Sequence, residues 1–158
     1  MEELKNAKNS QEAIWAAIQA IKEYYNVMDK AVAILLYDDE MKALKFVHPP
    51  ELMEAGAIPP TTSSSIAAKV FMAKDGFLSN DFLNVKHLAF FEKISGKEEP
   101  IRKLIAAPIA TKEKTLGVLE VSRGNEESNF TSEDLLFLKQ IGEILGEKLQ
   151  ELEHERKT

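Results

Sequence analysis

The chain has 158 residues, 44% hydrophobic and 29% charged, with a formal net charge of −6, the balance of one soluble globular domain long enough to bury a core. No basic block marks a nucleic-acid surface, no apolar run approaches a membrane span, and no basic-then-apolar leader opens the chain, so a cytoplasmic location is expected. Cysteine is absent, which excludes disulfides, thiol catalysis, thiolate metal sites and thioether-linked chromophores.

Residues 1–12 read as a polar N-terminal helical extension. From 11 to 25, Ile14, Ala17, Ile18, Ile21 and Tyr25 fall at helical spacing. Ser10 is the expected N-cap, and with Ala13 at N3 there is no capping box. Trp15 lies off the stripe. Residues 31–37 and 43–48 are short apolar runs around Asp38-Asp39-Glu40, a hairpin ended by Pro49-Pro50. Residues 51–65 read as a long loop with one helical turn at 51–55. Ser64 or Ser65 caps a short helix to Ala73, with Gly76 at C′. An edge strand is expected at 77–80, and Asn84 opens a helix over 85–95 that Gly96 stops.

Residues 104–110, LIAAPIA, and 116–121, LGVLEV, flank TKEKT and predict a second hairpin. Neither run alternates between apolar and polar. Both faces are therefore covered, and the hairpin belongs at the centre of a sheet. Thr131 caps a last helix to about residue 155, with Asp134 at N3 and Phe130 placed to staple onto Leu135.

The stretch 104–109, the LGVLEV strand and Phe130-Thr131-Ser132-Glu133-Asp134-Leu135 together resemble the C-terminal half of a GAF domain. Upstream, Ser65-Ile66-Ala67-Ala68-Lys69-Val70 and Ser79-Asn80-Asp81 resemble the short helix and the strand ending in Asn-Asp. The likeness spans 13–149, leaving 150–158 as a helical linker or coiled-coil start. It implies an α/β (α+β) fold: a central antiparallel sheet of order 2-1-5-4-3, terminal helices on one face, connecting helices and loops on the other. It also implies a non-catalytic sensory module that binds a small ligand and signals through its terminal helices. The alternative is a ligand-free homodimerisation module. The sequence names no cofactor.

Candidate sites follow. Cyclic-nucleotide-binding members carry Asn-Lys, a spacer, then Phe, three residues and Asp-Glu. Here Ser122-Arg123 and Leu135 depart from that pattern, while Phe130 and Asp134 remain and double as staple and helix-start acid. No second ligand stands at metal spacing to His48 or His87. No Ser-His-Asp order or glycine-rich phosphate loop appears, and the stand-alone sulfoxide reductase of this family needs redox cysteines. An apolar pocket is expected from Phe82, Phe90 and Phe91, with Asn80, Asp81, His87 and Arg102 as its polar contacts. Plain packing of a helix on the sheet explains the same aromatic residues. In heptad register Leu138, Leu145 and Leu152 share one core position and Leu149 falls on the other. With Ile14 and Ile18, they form the expected interface of a homodimer. Gly142 and Gly146 would let another helix approach.

Overall fold

A computed structural model describes the backbone of residues 1–54, 56–81 and 101–157, and the side chains of all of these except 156 and 157. Helix α1 (Glu2–Lys5) leads into α2 (Ser10–Tyr25). A 3-10 turn at Asp29–Ala31 feeds β1 (Val32–Asp38), which turns into β2 (Ala43–His48). After a 3-10 turn at Pro50–Leu52 come α3 (Ile66–Ala73) and β3 (Phe77–Ser79). The chain then forms β4 (Lys103–Ala110), β5 (Thr115–Arg123) and the long α4 (Ser132–Lys157).

The five strands form one sheet in the order β2-β1-β5-β4-β3, every pair antiparallel. This is the expected α+β architecture, with the β4–β5 hairpin at its centre. Leu104–Ala107 and Val118–Val121 are buried throughout because both faces carry cover. Strand alternation divides them. Ile105, Ala107, Leu119 and Val121 face α2 and α4, in a core with Ile21, Leu138 and Ile141. Leu104, Ala106 and Val118 face the other way, in a second core with Ala33, Leu35 and the α3 residues Ala67 and Val70.

Local chemistry sets the helix ends, and some differ from expectation. The N-cap of α2 is Asn9, whose Oδ1 accepts the Glu12 N–H at 2.9 Å. Glu12 returns a carboxylate to the Lys8 N–H at 2.8 Å, so a near-reciprocal box does form, one residue earlier than Ser10 would have placed it. Ser65 caps α3 as expected, but the left-handed residue that ends this helix is Lys74, with φ of 54°, rather than Gly76. At α4 the reciprocal pair is the expected one: Thr131 Oγ1 accepts the Asp134 N–H at 3.1 Å, and Asp134 Oδ2 accepts the Thr131 N–H at 2.9 Å. The N-terminal extension is docked. Leu4 and Ala7 are buried in the same core as α2 and α4.

The loop after β2 is partly ordered by backbone pairing. Leu44 and Ile58 exchange both N–H···O bonds at 2.8 Å, which gives the outer edge of β2 a partner.

Candidate functional site

The sheet face away from the terminal helices carries the second core. Its floor is apolar: Ala33 and Leu35 from β1, Leu104 and Ala106 from β4, Val118 from β5. Tyr37 stacks on Phe71 of α3 at 5.3 Å between ring centroids and walls one side. Two polar side chains share this floor with Val118 by alternation along β5: Glu120 and Ser122. Glu120 has no solvent exposure, and Ser122 is 2% exposed. The neighbours of Glu120 on the adjoining strands are Ala33 and Ala106, the smallest side chains available to flank a carboxylate. Ser122 Oγ donates to the Ala31 carbonyl at 3.4 Å.

Neither Glu120 nor Ser122 was expected from sequence as a site residue. The available signal was the lone charge inside LGVLEV: a carboxylate in a central strand is costly to bury unless hydrogen-bonded or paired.

The residues that were expected fare differently. Phe82, His87, Phe90 and Phe91, and the helix over 85–95, lie outside the described residues. Asn80 is turned to another task. Its Nδ2 donates to the Phe130 carbonyl at 2.9 Å, and its Oδ1 accepts the Phe130 N–H at 2.8 Å. The side-chain amide thus ties the end of β3 to the residue before the α4 cap. Asp81 is exposed, its backbone N–H on Ser79 Oγ at 3.3 Å. Arg102 is half-buried and extends the ladder, its N–H reaching the Arg123 carbonyl at 3.3 Å. His48 is buried with Nε2 3.2 Å from the Asp29 carbonyl oxygen. Among the described residues, no group of three or more His, Asp or Glu is placed to hold a metal ion.

The expected dimer surface requires correction. Leu138 and Leu145 have no exposure and Ile18 has 3%, all within the chain's own core, so none of the three can meet a second copy. Ile14, Leu149 and Leu152 are half-buried against that same core, which includes Leu4 and Ala7. Helix α1 packs on both α2 and α4 and contributes Leu4 to that core. Gly142 and Gly146 likewise serve the chain itself. A Cβ on Gly142 would sit 2.2 Å from the Pro108 carbonyl oxygen, and one on Gly146 would sit 2.5 Å from that of Ala110. The glycines seat α4 against β4.

A junction of polar and aromatic groups holds the start of α4. Arg123 donates from one guanidinium nitrogen to the Tyr25 carbonyl at 2.7 Å and lies 4.5 Å over the Phe130 ring. The Tyr25 hydroxyl donates to the Asp134 carbonyl. Burial, with the Asp134 charge nearby, pushes the Tyr25 phenol far above its ordinary range. Phe130 and Asp134, the two residues kept from the cyclic-nucleotide motif, are thus a core ring and a helix cap. A separate open cleft of about 570 Å³ lies between the end of β4 and α4, where Lys74, Lys112 and Lys139 face Asp75, Glu143 and Glu147. The Asp75 carboxyl is held below its usual value by the Gly76 N–H and by Lys139, 3.1 Å away.

The sequence matches the GAF domain family over residues 7–150. The chain belongs to the GAF family. None of the curated proteins matches it in sequence. Solved structures do match in fold. A methyl-accepting chemotaxis protein, residues 122 to 287, superposes with a TM-score of 0.77 at 13% identity, covering 99% of this chain and 98% of that one. The GAF domain of a phosphoenolpyruvate-protein phosphotransferase from Coxiella burnetii gives 0.77 at 15%, covering 99% and 92%. Free methionine-R-sulfoxide reductase from Neisseria meningitidis, solved in complex with its substrate, gives 0.68 at 14%, covering 96% and 84%. At such identities the likeness speaks for the GAF fold alone. GAF domains are generally sensory or regulatory. No described helix is long and apolar enough to cross a membrane.

Proposed function

We propose that this GAF domain is a non-catalytic cytoplasmic sensor. It binds a small molecule on the sheet face away from α2 and α4 and reports occupancy through those helices. The observation that carries this reading is Glu120, a wholly buried carboxylate flanked by Ala33 and Ala106 and sharing a mainly apolar floor with the buried Ser122 hydroxyl. The absence of cysteine supports a non-catalytic role, since it removes the redox chemistry that the family's stand-alone reductase needs. Native mass spectrometry of the purified protein tests the reading. A small-molecule adduct is expected on the unmodified chain and is expected to be lost from Glu120→Ala. Bare protein alone would overturn it.

A second reading, dimerisation, is favoured by a different surface from the one expected. Trp15 is 59% exposed on α2 and Leu136 56% exposed on α4. Tyr24, also exposed, stacks on Phe137 at 3.7 Å between centroids. Aromatic and aliphatic groups left in water on the two terminal helices suit a second copy of the chain.

A further inference from the structure

Asn80 occupies an unusual position in the fold. It follows β3, whose Phe77 packs on the ligand-face core and whose Leu78 packs on the terminal-helix core. Its side-chain amide then makes both hydrogen bonds that a paired peptide group would make, one donated and one accepted, to the two backbone groups of Phe130. Two bonds to one residue fix orientation as well as distance. A hydroxyl cannot span both groups. A carboxylate lacks the donor. Glutamine carries one methylene too many.

Phe130 is the residue before the N-cap. Its ring is held by the Arg123 guanidinium and lies edge-on to Tyr25 at 6.0 Å. The next residue, Thr131, is locked to Asp134 by the reciprocal cap. Any displacement of the Phe130 backbone is therefore a displacement of the first turn of α4. On the other side, Phe77 and Asn80 are three residues apart, joined by the strand itself. Phe77 pairs with Ala106, the same alanine that flanks Glu120.

We infer that Asn80 is the positioning residue that couples β3, and with it the ligand face, to the start of α4. The coupling is a physical property of the free protein; its use in signalling rests on the sensory reading above. Coupling of this kind is reciprocal: loosening either end loosens the other, and removing the link makes the two ends independent.

The experiment is a hydrogen-exchange double-mutant cycle on the full chain without ligand. The four proteins are unmodified, Asn80→Ala, Thr131→Ala and the double variant. Thr131→Ala frays the α4 cap by removing its half of the reciprocal pair with Asp134. Exchange is read at the amides of residues 77–79, with β1 amides as the reference for global opening. Thr131→Ala is expected to speed exchange in 77–79 by about twofold or more relative to β1, and to add nothing in the Asn80→Ala background. Unchanged 77–79 exchange in Thr131→Ala, or an equal effect in both backgrounds, overturns the inference. Should Asn80→Ala fail to fold, Asn80→Asp carries the cycle, since it keeps the acceptor and loses the donor. Because no ligand is used, a failed cycle and a missing ligand are separate results.

Discussion

At the scale of single residues, Tyr25 shows how a buried polar group becomes a measurable dependence on pH. Its ring sits in the terminal-helix core and its hydroxyl meets the Asp134 carbonyl. Burial first, then the Asp134 charge, raises the phenol above its ordinary value of 10.0. The folded chain therefore keeps this proton at pH values where the unfolded chain loses it. Stability is whole below about pH 10 and falls as pH rises beyond it, because the unfolded state then binds fewer protons than the folded one. The urea midpoint of the unmodified protein should decline above pH 10. Tyr25→Phe, lower in stability at neutral pH for want of the hydrogen bond, should decline less steeply. Parallel slopes for the two proteins would show that the phenol ionises in place.

Among the elements, α4 and β4 are in unusually close contact, and the glycines of α4 are the reason. Glycine inside a helix ordinarily lowers stability by about 1 kcal/mol relative to alanine, so Gly142→Ala would stabilise an exposed helix. Here the added methyl would meet the Pro108 carbonyl oxygen at 2.2 Å. Backbone of a central strand cannot step aside as a flexible side chain can. Overpacking of this kind costs about 1–3 kcal/mol, and this contact lies at the severe end. The expected result is a net loss of about 2 kcal/mol, read as a lower urea midpoint at unchanged slope. A gain in stability would mean that α4 does not lie on β4 as described. The same packing explains why a leucine heptad on α4 is a poor guide to association. The helix uses Leu138 and Leu145 to cover its own sheet, and Leu149 and Leu152 lie half-buried against the same core, to which α1 adds Leu4.

For the whole molecule, the open question is whether the terminal helices meet a second copy. Charge at Leu145 and Leu149 cannot test this, because Leu145 is wholly buried and a glutamate there would unfold the chain. Trp15 and Leu136 are the informative positions, since both are more than half exposed. Light scattering at tens of micromolar should find a dimer for the unmodified protein. It should find a monomer for Trp15→Glu with Leu136→Glu, with an unchanged circular dichroism spectrum and urea midpoint. A monomeric unmodified chain at that concentration would remove the dimer reading and leave the sensory one untouched.

The order of the described strands, the two hairpins and the capped last helix were legible in the sequence, because each rests on local chemistry. Apolar runs of strand length, a polar turn and a Thr131/Asp134 pair leave few alternatives within a few residues of chain. The resemblance to GAF domains then carried the strand order, which no local pattern contains. Tertiary structure decided what each polar or small residue does. Asn80 looks like a pocket residue until Phe130, fifty positions later, is found at both ends of its amide. Gly142 and Gly146 look like a docking stripe until the carbonyls of β4 fill the space above them. Glu120 reads as one charge in an apolar run, and only the pairing of β1 and β4 on either side of β5 buries it between Ala33 and Ala106. A sequence determines periodicity and propensity, which are short-range. Which donor meets which acceptor, and whether an apolar face is already covered, are long-range facts that exist only once the chain is folded.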